Sequence, residues 1–83
     1  MFYVYVLLST VNRDVYVGFS TDLRVRFSEH NAGKVKSTKG YRPWKLIYYE
    51  AYASRQDATR REKQLKMHKA KLDLKQQVRY SLE

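Results

Sequence analysis

Seven consecutive residues near the start of the chain, Phe2 to Leu8, read Phe-Tyr-Val-Tyr-Val-Leu-Leu, and they leave few choices. β-Branched and aromatic residues in such a run favour a strand. Alternation puts Phe2, Val4, Val6 and Leu8 on one face and Tyr3, Tyr5 and Leu7 on the other. Both faces are largely apolar, so both need cover, which makes this the central strand of a layered fold. With 83 residues the chain has room for one modest core and one small domain. The run is too short to span a membrane. No basic residue precedes it and no small-residue cleavage site follows, so it does not read as a signal peptide.

The rest of the chain supplies the covering layers. Val11 to Asp14 forms a turn, and Val15 to Phe19 a second strand, paired with the first as an antiparallel hairpin. In it Tyr16 and Gly18 share a face, and the glycine leaves room beside the tyrosine ring. Ser20-Thr21-Asp22 reads as a helix start, with the helix running to about Ala32 and Gly33 as its stop. Lys34 to Pro43 has no apolar period and reads as a loop. Trp44 to Tyr52 is a third strand, with Leu46, Tyr48 and Glu50 on one face and Lys45, Ile47, Tyr49 and Ala51 on the other. Ser54 to Asp57 reads as a capping box opening a second helix, with Ala58 and Leu65 on its inner stripe. A break near His68 to Lys71 precedes a short basic helix at about 71–82. The expectation is an α/β chain of the α+β kind. Its single domain, with a core over about 1–70, has a three-stranded antiparallel sheet flanked by helices in the order β-β-α-β-α-α.

Five polar residues, Tyr5, Tyr16, Arg26, His30 and Glu62, fall where a plain core would not need them, and they are expected to point into one shallow site. On the first helix Leu23 and Phe27 set the buried stripe, and Arg26 and His30, four apart, lie beside it. They either reach over the core edge towards the sheet as part of a site, or are a snorkelling Arg and a satisfied, partly buried His. On the second helix Glu62 shares the Ala58/Leu65 stripe. A carboxylate there is costly unless it binds a metal or pairs with an Arg such as Arg26.

The formal charge of +9 is unevenly spread. Lys34, Lys36, Lys39, Arg42 and Lys45 follow one another with no acid among them, and Lys63 and Lys66 flank Glu62 on the second helix. So positive a small domain points to a polyanion, nucleic acid being the commonest. No basic helix has the wide apolar face that a membrane surface requires. Tyr41 and Trp44, set among the lysines, suit base stacking, although Trp44 serves equally as a core anchor for the third strand. The chain has no Cys, so there is no disulfide framework, thiolate metal site or Cys nucleophile, as fits a reducing cytoplasm. Two histidines as far apart as His30 and His68 do not suggest zinc.

Taken in order, Tyr3-Val4-Tyr5, Val15-Tyr16-Val17-Gly18, Arg26-x-x-x-His30-Asn31 and Arg61-Glu62-Lys63-Gln64-Leu65-Lys66 resemble the GIY-YIG nuclease domain, most closely its small stand-alone bacterial type. The resemblance covers roughly the first 70 residues. It implies a metal-dependent endonuclease hydrolysing phosphodiester bonds in DNA, acting on structured or damaged DNA and linked to repair or recombination. It also implies a catalytic set of Tyr5, Tyr16, Arg26, His30 and Glu62. Glu62 would hold one Mg²⁺ or Mn²⁺ with water filling most of its shell, and Arg26 would fork onto a phosphate oxygen. Tyr5, its pKa lowered by the metal and Arg26, would take a proton from the attacking water, with Tyr16 or His30 sharing that task. Tyr3 and Val4 replace the Gly and Ile of the first half-motif. Phe19 stands near where some members carry a lysine, and no Asn follows Asn31. A protein partner supplying targeting, and a monomer or weak homodimer, complete the expectation. The competing reading is a non-catalytic nucleic-acid binding module on the same fold; Glu62 separates the two, since a binder has no need of an acid beside phosphates.

Overall fold

A computed structural model describes residues 1–67, 75–76 and 78–80. The first strand, β1 (Phe2–Ser9), is the middle of a three-stranded sheet between β2 (Val15–Ser20) and β3 (Trp44–Tyr52), antiparallel to both. The helices are α1 (Leu23–Asn31) and α2 (Arg55–Leu65), giving the order β-β-α-β-α. The predicted break at 68–71 and the C-terminal helix lie for the most part outside the described residues; Val78, which is described, packs on the α2-side core.

The two-faced pattern of β1 is realised in two cores. Val4 and Val6, with Val17 of β2, pack against Ala58 and Leu65 of α2. Tyr5 and Leu7, with Trp44, pack against Leu23 and Phe27 of α1. Each fully buried Val or Leu contributes about 1.5–3 kcal/mol. Since α2 places only Ala58 and Leu65 in the core, apolar burial alone attaches it weakly.

Polar contacts add to that attachment. Glu50 of β3 accepts from the Nε of Arg61 of α2 at 2.9 and 3.1 Å and from the hydroxyls of Tyr48 and Tyr52. Burial opposes ionisation of Glu50, but Arg61 and the two tyrosines outweigh it and hold its pKa below the usual carboxylate range. Glu50 belongs on this face because β3 does not alternate strictly. A bulge between the partners of Val6 and Leu7 shifts the register from Leu7↔Leu46 to Val6↔Tyr48. Leu46 therefore packs on the α1 side while Ile47, Tyr48 and Tyr52 pack on the α2 side, correcting the single-face assignment of Leu46, Tyr48 and Glu50.

Helix termini also depart from expectation. The cap of α1 is Asp22, whose carboxylate accepts from Val25 N at 3.1 Å, while Ser20 closes a turn onto the Asp22 backbone. Gly33 stops α1 as expected, at φ 79°, with Lys34 N reaching back to Glu29 O. Ser54 sits at the cap of α2 without a side-chain capping bond, so the expected box is not made; Asp57 pairs with Arg60 instead. The segment expected to be a plain loop contains a 3-10 turn, Lys39–Tyr41, and buries Val35 and Thr38.

Candidate active site

Tyr5 and Tyr16 reach the α1 side from adjacent strands, and His30 comes down onto them from the last turn of α1. The His30 ring stands edge-on to both, with centroids 5.0 Å from Tyr16 and 5.6 Å from Tyr5. Its Nε2 lies 2.8 Å from the Tyr5 hydroxyl and its Nδ1 2.8 Å from the Thr38 hydroxyl. His30 is 0% exposed and Tyr5 1%. Gly18 permits this arrangement. It pairs with Tyr5 across the hairpin, and the room left by its missing side chain is taken by the Tyr5 ring rather than lying open beside Tyr16.

Arg26, one turn before His30, faces the Tyr5 hydroxyl and holds Glu29 at 3.4 Å. Its side chain is 38% exposed, so it is the part of the Arg26–Tyr5 pair that meets solvent. The lowering expected for Tyr5 was to come from a metal and Arg26 together, and Arg26 does act in that direction. Burial pushes the phenol up to about 12; Arg26 opposes the rise only in part, and Tyr16 and Glu62 add to it. His30 moves the other way, lowered first by burial and then by the Arg26 charge. At neutral pH the pair is therefore a phenol beside a neutral imidazole.

Glu62 stands on the other helix. Its side chain is 22% exposed and its ion-pair partner is Lys66, at 3.1 Å, one turn on. Arg26, the partner considered from the sequence, instead holds Glu29. The Glu62 charge still acts on Tyr5, so sheet and helices bring all five candidates within electrostatic reach. Among the described residues no group of three or more His, Cys, Asp or Glu is positioned for a metal. Any ion here would rest on Glu62 and water, an arrangement that suits Mg²⁺ better than an all-protein cage.

Lys34, Lys36, Lys39, Arg42, Lys45, Lys63 and Lys66 are all exposed. Arg42 also lies over Gly33 and donates to Lys39 O at 2.9 Å. Trp44 is a core anchor, its indole N–H donating to Thr38 O at 2.8 Å, whereas Tyr41 is exposed. A surface cavity of about 440 Å³ lies between α1 and β3 and is lined by Tyr3, Leu23, Phe27, Leu46 and Tyr49 rather than by the candidate set. Two supporting residues were not legible. Thr38 is a polar residue in a lysine-rich stretch with no period to mark it. Asn31 brackets the start of β3, accepting from Trp44 N at 2.7 Å and donating to Trp44 O at 3.0 Å; its one signal was its place after His30.

Comparison with known proteins points to one family. The profile of the GIY-YIG catalytic domain matches residues 1–76. A UPF0213 protein of Staphylococcus haemolyticus is 39% identical over 74 residues, covering 88% of this chain and 89% of its own. One from Streptococcus pyogenes serotype M3 is 40% identical over 70 residues, covering 83% and 75%. The solution NMR structure of the UPF0213 protein BH0048 from Bacillus halodurans superposes with a TM-score of 0.57 at 33% identity, covering 89% of this chain and 82% of that one.

Proposed function

The chain belongs to the GIY-YIG catalytic domain family, a nuclease family, and from that premise we propose that it is an endonuclease hydrolysing DNA phosphodiester bonds with one divalent metal ion. The observation that carries the reading is the 2.8 Å contact between the Tyr5 hydroxyl and His30 Nε2. A phenol with a pKa near 12 is a poor base unless its own proton has somewhere to go, and a neutral, buried imidazole supplies that place. As the attacking water gives its proton to the Tyr5 oxygen, the Tyr5 proton passes to His30 Nε2. The water oxygen bonds to phosphorus, the leaving oxygen departs, and it takes its proton from solvent.

Arg26, exposed where Tyr5 is not, meets the phosphate first. Swinging onto a phosphoryl oxygen, it neutralises charge there and uncovers the Tyr5 hydroxyl. Tyr16 packs against the His30 ring and keeps it edge-on to Tyr5. Glu62 would hold the Mg²⁺ or Mn²⁺, which when bound supplies Lewis acidity towards the phosphate. The exposed cations from Lys34 to Lys45, with Lys63 and Lys66, would track the DNA backbone. The reading extends to structured DNA of the kind handled in repair or recombination, to a cytoplasmic setting and to targeting by a partner protein.

A second reading, a binding module that does not cut, is favoured by the burial of Tyr5 and by exposed Tyr41 beside the basic segment. Incubating the protein with labelled branched, nicked and single-stranded DNA in Mg²⁺ or Mn²⁺, beside Glu62→Ala and Tyr5→Phe, separates the two. Metal-dependent cutting lost in both variants supports the nuclease. Salt-sensitive binding without cutting supports the module, and cutting that survives both substitutions overturns the assigned site.

A further inference from the structure

The hydrogen-bond chain behind Tyr5 has one consistent direction. Arg26, a donor-only group, faces the Tyr5 oxygen. Among the described residues the acceptor within reach of the Tyr5 O–H is His30 Nε2, at 2.8 Å. Nε2 must then carry a lone pair, and the proton of the neutral ring sits on Nδ1. Nδ1 meets the Thr38 hydroxyl at 2.8 Å, and that hydroxyl has its own outlet, donating to Val35 O at 3.4 Å. With its proton committed there, the Thr38 oxygen is free to accept from Nδ1–H. In the reverse direction the Tyr5 oxygen would face two donors and its own proton would have no acceptor among the described residues.

Thr38 is also held in place. It is fully buried, its N–H bonds Val35 O at 3.2 Å, and its carbonyl accepts from the indole N–H of Trp44 at 2.8 Å. We propose that Thr38 is a positioning residue that fixes His30 as the Nδ1–H tautomer, so that Nε2 is always presented to Tyr5. Its catalytic consequence rests on the nuclease reading above; the tautomer itself does not. Thr38 is shut off from the surface. It acts through His30, as an orienting group behind an imidazole does in other sites.

The test is a long-range ¹H–¹⁵N NMR spectrum of the histidine rings at a pH where His30 is neutral, assigned with His68→Gln. The expected result is an unprotonated Nε2 and a protonated Nδ1 in the wild type and in Thr38→Ser. In Thr38→Val, which keeps the shape and removes the acceptor, that preference is lost. An Nε2–H tautomer in the wild type, or an unchanged tautomer in Thr38→Val, overturns the proposal. Should Thr38→Val fail to fold, the wild-type and Thr38→Ser spectra still decide. Where the wild type cuts DNA, Thr38→Val lowers kcat by about 10-fold with unchanged DNA affinity, and Thr38→Ser restores most of it; a change in affinity alone counts against it. A wild type that does not cut defeats the nuclease reading and leaves the spectrum to judge Thr38.

Discussion

Tyr5 lies across Gly18: a Cβ on that glycine would stand 2.8 Å from Cε2 of the tyrosine ring and closer still to Cζ and the hydroxyl oxygen. No flexible chain end is available to give way, because the hydroxyl is tied to His30. Gly18→Ala should therefore cost about 1–3 kcal/mol of stability by overpacking. It should also break the Tyr5–His30 bond. Urea unfolding together with the His30 ring spectrum checks both, and a fully stable Gly18→Ala with an unchanged spectrum would mean the ring has another resting place.

Arg26→Lys keeps the charge and loses the fork. Cleavage should fall about 100-fold, while stability changes little, because the Glu29 contact is a partly exposed i,i+3 pair. Steady-state cleavage beside thermal unfolding would show whether the two separate.

Cleavage should depend on pH through His30. Its pKa is lowered, by burial and then by Arg26, so the ring becomes a usable acceptor only above a value that lies under the ordinary 6.5. The rate should rise through that value and then level off, with no alkaline fall from Tyr5 until pH approaches about 12. Stability follows the same sign. The folded state holds His30 neutral, so this contribution is complete above pH 6.5 and is lost as pH falls through the folded value. A bell-shaped profile centred near neutrality would contradict the relay.

Glu50 gives a separate stability window. Its lowered pKa means that its contribution is complete above the ordinary carboxylate value and is lost as pH falls through the folded one. Its partner Tyr52 is raised to about 12, first by burial and then by the Glu50 contact, so that contribution is present below the ordinary tyrosine value and lost above it. Glu50→Gln should cost about 1–2 kcal/mol at neutral pH and flatten the acid limb. Unfolding midpoints measured from pH 3 to 7 would reveal it.

The sequence showed the sheet most clearly where a single strand carried two apolar faces, because period-two burial leaves a direct mark on residue type. Arg26 and His30 were legible as misfits beside the Leu23/Phe27 stripe. Other features depended on relations between distant segments. The bulge in β3 is set by pairing with β1, so alternation within β3 assigned Leu46 and Tyr48 to one face. Thr38 is defined by a ring eight positions earlier, and a buried threonine among lysines resembles an exposed one. Glu50 was visible only as an acid in a strand until Arg61 was brought across to it, whereas Glu62, the acid the helix stripe singled out, proved to be partly exposed beside Lys66.

The two acids that matter most here are thus joined through one helix. Glu50 anchors α2 through Arg61, and the next residue on that helix is Glu62. The catalytic tyrosine of the proposed mechanism packs on the α1 side of the sheet, and the carboxylate is carried by α2, which packs on the other side. If Glu62 holds the proposed metal, a lesion at Glu50, Arg61 or Leu65 would surface in an assay as weakened metal use, because these residues hold the helix that carries it. Variants of that kind can pass for active-site mutants, and ranking them by distance from Tyr5 would misplace them.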